Sequence, residues 1–312
     1  MILSVSRRTD IPAFYSDWFF DCLKKGFVLV PNPINKSKIA RIELQPIKLE
    51  SVSTNLLGEK TVDISGNLEG IVFWTKNPQP MIDKLKLLGD IKYYFLYTLN
   101  AYPRTIEKNL PSLDRRIESF KQLSKFCPVV WRYDPILIAD GIDENWHVEQ
   151  FRFLCSQLEG YTKYCKISFL IESYKGCSKS VHTPSLGQKE YILSKISEIA
   201  KEHGIQIEAC AEKDDWRKYG IVPSKCIDGE IFEELLSDRF KDQNISVKRK
   251  DNKIDGQRKN CGCMPAIDIG RYDTCKYGCS YCYAMKTTPQ SMFDPHLGEI
   301  YERKTELSFE YK

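Results

Sequence analysis

Three cysteines near the end of the sequence, Cys275, Cys279 and Cys282, stand at C-x3-C-x2-C spacing within Asp273-Thr-Cys275-Lys-Tyr-Gly-Cys279-Ser-Tyr-Cys282-Tyr-Ala284. Cysteine thiolates are the usual ligands of iron–sulfur clusters. A [4Fe–4S] cube has four irons, so three thiolates from one loop leave one iron without a protein ligand. An open metal position is what a catalytic centre needs, whereas structural sites close all of theirs. Gly278 removes a side chain where the loop must wrap closely and permits a positive φ. The same three thiols, joined by a fourth ligand from elsewhere, would instead make a structural zinc site.

A second group is Cys210, Cys226, Cys261 and Cys263, where Cys261-Gly-Cys263 is a compact pair. Four thiolates suit an auxiliary iron–sulfur cluster or a zinc ion. The alternatives are redox-active thiols or small buried side chains. The five other cysteines (Cys22, Cys127, Cys155, Cys165, Cys177) read as buried apolar residues. The four histidines are scattered and read as surface or internally satisfied groups.

The elements that must position these groups alternate along the chain. Strand patterns occur at 2–6, 27–30, 71–74, 93–99, 129–133, 166–171 and 205–211. Helical patterns intervene, for example Leu113, Ile117, Phe120 and Leu123 at helical spacing. Residues 38–66 read as a hairpin or insertion. Repeated alternation implies parallel pairing through crossovers, and no strand is followed by the G-x-G-x-x-G of a dinucleotide fold. The expected fold is therefore α/β, a TIM-like or partial (β/α) barrel over residues 1–245, with a cysteine-rich segment over 246–312 packed on it. Ala266-Ile-Asp-Ile-Gly270 is a short strand running into the cysteine loop.

Barrel active sites lie at the C-terminal ends of the strands. Polar residues collect there: Arg7, Arg8 and Asp10; Lys76 and Asn77; Asn100; Arg132 and Asp134; Glu172; Glu208 and Glu212. Alternation puts Arg132 with Asp134 on one strand face, and Glu208 with Cys210 and Glu212 on another. Arg132, Asp134 and Glu172 are the candidate catalytic groups. The competing reading is a salt-bridge network across the rim.

Composition narrows the setting. With 46 basic and 42 acidic residues among 312, the net charge of +4 is nearly balanced, which argues against a dedicated nucleic-acid binder. The basic stretch 248–259 reads first as a solvated linker and only second as a phosphate contact. The apolar runs are of strand length, so no transmembrane helix is expected. The opening residues lack the apolar core of a signal peptide. A cytoplasmic protein is expected, and its twelve cysteines then point to metal or redox chemistry rather than disulfides.

The terminal motif resembles the cluster loop of radical S-adenosylmethionine (SAM) enzymes, in which the residue before the third cysteine is typically aromatic, as Tyr281 is. Ser6-Arg-Arg-Thr-Asp10, Phe73-Trp-Thr-Lys-Asn-Pro78, Trp131-Arg-Tyr-Asp-Pro135, Lys225-Cys-Ile-Asp-Gly229 and Cys275-x3-Cys279-x2-Cys282-Tyr-Ala together resemble the bacterial family catalogued as domain of unknown function 1848. That family is noted for a C-terminal cysteine cluster similar to the radical SAM loop. The resemblance implies a [4Fe–4S] cluster on Cys275, Cys279 and Cys282, with SAM chelating the open iron through its amino and carboxylate groups. It further implies reductive cleavage of SAM to a 5′-deoxyadenosyl radical, an unidentified substrate, and a flavodoxin- or ferredoxin-type electron donor. On this reading Tyr281, Lys76, Glu208 and Glu212 join the cysteines in cofactor binding. Arg132 or Lys76 would meet the SAM carboxylate, and Glu172 or Glu208 the ribose. No Gly-Gly-Glu motif for the SAM amino group is evident. The loop usually opens a radical SAM barrel, so its late position implies circular permutation, with strand 266–270 folding back beside the N-terminal strand. The alternative is a structural or redox-sensing iron–sulfur or zinc protein, with nucleic acid as its partner.

Overall fold

The computed structural model describes residues 1–33, 35, 38–54, 60–174, 176–240 and 261–292. The segment 248–259 lies outside them, as does the 245/246 boundary. In chain order the elements begin with β1 (Ile2–Val5), α1 (Ile11–Phe14), α2 (Ser16–Lys25), β2 (Phe27–Pro31), β3 (Ile39–Glu43), β4 (Lys48–Thr54) and β5 (Lys60–Ser65). There follow β6 (Gly70–Thr75), α3 (Gln79–Ile82), β7 (Lys92–Thr98), α4 (Leu113–Leu123), β8 (Val129–Ile136), α5 (Glu144–Leu158) and β9 (Tyr164–Phe169). The last are α6 (Leu186–Glu202), β10 (Gln206–Ala209), β11 (Val222–Pro223), α7 (Gly229–Phe240) and β12 (Ala266–Asp268).

Eight strands form one sheet in the order β11-β10-β9-β8-β7-β6-β1-β12. Every pairing in it is parallel. All six residues of β6 are buried, as expected of a parallel strand covered on both faces. The molecule is thus mixed α/β with a large parallel sheet. The strand at 266–268 pairs with β1 in register, Ile2 opposite Ala266 and Ser4 opposite Asp268. The two most distant parts of the described chain are therefore neighbours.

One strand expected in this sheet is elsewhere. β2 pairs antiparallel with β3, and β4 with β5, in two separate two-stranded sheets. The reason lies in β2 itself: only alternate residues are buried, so it has one apolar face rather than the two a central parallel strand needs, and Pro31 lacks an N–H to pair. Its place in the count is taken by the two-residue β11.

Helices α1, α2, α4, α5 and α6 pack on one face of the sheet. Leu3, Phe73, Phe95, Trp131, Tyr133, Cys165, Ile167 and Ile207 from the strands form a single core with Ile11, Phe19, Ile117, Phe120, Phe151, Leu154, Ile192 and Ile196 from α1, α2, α4, α5 and α6. Phe73 stacks on Phe95 at 4.6 Å and Trp131 on Phe151 at 4.9 Å. Each fully buried side chain of this kind contributes about 1.5–3 kcal/mol. The other face carries Ile2, Val72, Trp74, Tyr94, Leu96 and Val130, closed by Phe232 of α7. Gly70 is required there, because a Cβ on it would run into the Phe232 ring.

His147 is fully buried in the helix-covered core. Its Nδ1 is 2.8 Å from Tyr133 Oη and its Nε2 is 2.6 Å from the Leu137 carbonyl. The neutral ring satisfies both contacts, accepting at Nδ1 and donating at Nε2. Burial lowers its pKa from 6.5 to about 4. The unfolded chain therefore takes up a proton first as pH falls from 6.5, and stability is lost through that window. About 3 kcal/mol is expected to disappear between pH 6.5 and 4 from this group alone. Urea midpoints measured across that range should be flatter in His147→Phe than in the parent; an unchanged slope would refute the assignment.

Candidate metal centre

The cysteine loop leaves β12 at the C-terminal edge of the sheet. Asp268 fixes that exit: its carboxylate accepts from Ser6 Oγ at 2.6 Å, Arg7 N at 2.9 Å and Gly270 N at 3.0 Å. Ser4 Oγ donates to the same carboxylate at 3.1 Å and accepts from Trp74 Nε1 at 3.0 Å. Gly270 is pressed so closely against Ser6 that any Cβ would collide with it. Asp273, in the left-handed region at φ 60°, draws the loop's neck shut, its N–H reaching the Ala284 carbonyl at 2.9 Å.

Between those ends the loop lies across the loops that follow β1, β6, β7 and β9. Asn109 N donates to the Tyr277 carbonyl at 3.0 Å, Ser280 N to the Ile106 carbonyl at 2.9 Å and Ser178 N to the Ser280 carbonyl at 2.6 Å. Tyr15 Oη donates to the Thr274 carbonyl at 2.8 Å and Tyr283 Oη to the Arg7 carbonyl at 2.6 Å. Gly278 takes φ 66°, the wrap expected of it. A Cβ on Gly176 would collide with the carbonyls of Cys282 and Met285, so the loop is also gripped from the β9 side.

Tyr281 anchors the centre. Its Oη meets Lys76 Nζ at 2.8 Å and donates to the Glu107 carboxylate. Lys76 Nζ binds Glu107 at 2.8 Å, and Arg116 reaches the other carboxylate oxygen at 3.4 Å. Glu107 is only 1% exposed. Burial alone would raise its pKa, but Lys76, Arg116 and the hydrogen bonds outweigh burial and hold it below its ordinary value.

Cys275, Cys279 and Cys282 are free thiols. Burial raises all three, Cys275 to about 12, while Lys76 favours the thiolates of Cys279 and Cys282. Each of the three lies close enough to another for ionisation of one to disfavour that of its neighbour. Their donor chemistry fits a sulfur-ligated iron centre: three half-buried thiols on one closed loop, with Lys76 beside Cys279 and Cys282. Among the described residues no three His, Cys, Asp or Glu side chains already surround a single metal position.

The other sequence-selected residues divide into two sets. Arg132, Asp134, Lys166, Ser168 and Glu208 share the second face of the sheet with Trp74. Arg132 pairs with Asp134, donates to Thr98 Oγ1 at 2.9 Å and lies 5.0 Å over the Trp74 ring. Its Nε is buried without a partner. Ser168 donates to Asp134, and Lys166 Nζ binds Glu208 at 2.7 Å. Glu172 and Glu212 are not brought into this group. Glu172 lies on an exposed turn accepting from Thr183 N. Glu212 accepts from Phe169 N at 3.1 Å, because β10 ends at Ala209 and Ala211 turns to φ 52°, which breaks the alternation that would have kept it beside Glu208.

Asp268 and Glu107 escaped the sequence reading, since their partners are remote in the chain. A polar residue inside the apolar strand 266–270 was the available signal for Asp268. Glu107 gave none.

No helix among the described residues is long and apolar enough to cross a membrane. The family model described as Domain of unknown function (DUF1848) matches residues 2–284, ending two residues after Cys282. Among curated proteins none matches. A solved structure from Bacteroides thetaiotaomicron VPI-5482, provisionally named an alpha-L-fucosidase, aligns with 73% of this chain and 61% of its own at 13% identity and TM-score 0.29. The chain thus spans about three fifths of that protein, and a likeness this distant carries no functional argument.

Proposed function

The chain belongs to the DUF1848 family, whose description names no reaction, and we propose from the site itself that it is a radical SAM-type enzyme with a [4Fe–4S] cluster on Cys275, Cys279 and Cys282. The observation that carries this reading is the parallel pairing of β12 with β1. It delivers the cysteine loop to the strand-end rim, next to Lys76, instead of leaving it as a remote tail. Residues 246–312 are then the displaced opening of a circularly permuted (β/α) barrel, completed by 1–245. One feature supports closure. The residues flanking the two edge strands meet, Met264 N donating to the Ile227 carbonyl at 2.9 Å.

When bound, the cluster and SAM would together supply one-electron reductive cleavage of the sulfonium, and hydrogen abstraction from a substrate would follow. The chain's part is positioning and electrostatics. Lys76 is held in place by Glu107 and Tyr281 and raises the positive potential at the cysteines. Arg132, with its unpartnered Nε, is the cation best placed for a carboxylate of SAM or substrate, and Asp134 orients it. Glu208 suits a ribose hydroxyl, while Glu172 and Glu212, engaged elsewhere, are weaker candidates. A flavodoxin- or ferredoxin-type protein would deliver the electron.

The direct test needs no substrate. Anaerobically reconstituted protein, reduced in the presence of SAM, is expected to release 5′-deoxyadenosine. Background levels with several reductants, from protein carrying a full cluster, would sink the catalytic reading and favour a structural or redox-sensing cluster.

A further inference from the structure

Cys210, Cys226, Cys261 and Cys263 are scattered in sequence, yet the fold joins them. Cys210 follows β10, Cys226 follows β11, and Cys261 and Cys263 precede β12. Cys210 Sγ is 3.2 Å from Cys226 Sγ. Cys226 also meets the thiol of Cys263, which in turn meets Cys261. All four are free. Cys226 and Cys263 are buried, with Cys263 Sγ accepting from Ile227 N at 3.4 Å.

Buried cysteines often act as small apolar residues, but this cluster is placed against cations. Arg132 lies near Cys210 and Cys226, and Lys166 near Cys226. Lys166 is 1% exposed and is fixed by Glu208 and by the Lys225 carbonyl at 2.8 Å. Both cations already have carboxylate partners, Asp134 for Arg132 and Glu208 for Lys166. Beside a divalent ion held by four thiolates they oppose a net charge of about −2. A disulfide between Cys210 and Cys226 would leave the other two thiols without a role.

Sulfur spacing selects the kind of centre. Thiolates about 2.3 Å from one tetrahedral zinc stand about 3.8 Å apart, close to the separation of Cys210 and Cys226. A cube spreads its ligands over separate irons and needs them farther apart. The thiols form a chain of pairwise contacts, so side-chain rotation must close them round the ion.

We propose that Cys210, Cys226, Cys261 and Cys263 bind a single zinc ion as a tetrathiolate, tying the segment before β12 to the segments after β10 and β11. The ion would lock the seam where Met264 meets Ile227. This site is independent of the cluster loop, and each can fail alone.

The test uses the full chain with Cys275, Cys279 and Cys282 all replaced by alanine, which removes the proposed iron site. That protein, purified anaerobically, is expected to hold about one zinc per chain. After metal removal, cobalt(II) should give the intense visible bands of tetrahedral sulfur coordination and saturate at one equivalent. Cys210→Ser and Cys261→Ser, at the less buried positions, should weaken cobalt binding at least about tenfold, with circular dichroism confirming that both variants fold. Four freely reactive thiols with neither zinc nor cobalt bands would overturn the proposal. So would a Cys210–Cys226 disulfide, or an iron–sulfur spectrum in the triple variant.

Discussion

Cys279→Ala is expected to abolish iron–sulfur loading while leaving the fold intact. Reconstituted parent protein should carry about four irons and four sulfides per chain at the loop, and the variant should fall to the level of the Cys275/Cys279/Cys282 triple variant. The loop's backbone bonds explain why the fold should survive. Cys279 pairs through its main chain with Glu107, and alanine keeps that pairing. Losing one half-buried sulfur costs about 1 kcal/mol of packing, whereas two thiolates cannot hold a cube. Iron, sulfide and visible absorption are read directly, so the result does not depend on knowing a substrate. Zinc at the second cysteine group should be unaffected, which separates loss of a ligand from general damage. A variant that keeps the full iron–sulfur spectrum would remove Cys279 from the ligand set and leave the open-iron reading without its basis.

The parts of this site legible in the sequence were those set by local pattern. Runs such as Ile71-Val-Phe-Trp74 and Tyr93–Leu99 mark β6 and β7, because buried parallel strands are apolar throughout. The polar residues that follow them stand at strand ends for the same reason. The strand before the cysteine loop was also visible, and with it the prospect that it lies beside β1. Illegible were features whose cause is distant or very short. β11 is two residues long and has no periodicity to detect. β2 has the apolar run of a core strand, but its pairing with β3 depends on which of its faces finds cover. Glu212 was displaced by one residue, Ala211, in a conformation that alternation does not anticipate. The four joined cysteines sat at spacings of no common template, since three segments meet only when the sheet's ends do.

Glu107→Gln is expected to be the most damaging single change to stability near the centre, costing about 3–5 kcal/mol. Glu107 lies between Lys76 and Arg116, and it also accepts from Tyr281. Arg116 is 3% exposed. Neutralising the carboxylate leaves Arg116 out of water without its counter-charge and removes the ion-pair partner of Lys76, the case in which breaking a buried ion pair is costly. Lys76→Met should be milder, because Glu107 keeps Arg116 and the pair stays neutral. Combining Glu107→Gln with Lys76→Met should restore part of the loss, a non-additivity expected of groups in one network. The pH dependence has a definite sign. Glu107 is held below its ordinary value of 4.5, so its contribution is complete above that pH and is lost as the solution is acidified further. Urea unfolding at neutral pH checks the first statement. The extra loss of the parent over Glu107→Gln as pH falls below 4.5 checks the second, the His147 contribution being common to both proteins. A Glu107→Gln protein within about 1 kcal/mol of the parent at neutral pH would mean that water reaches these charges. Lys76 would then not be the fixed cation proposed beside Cys279 and Cys282.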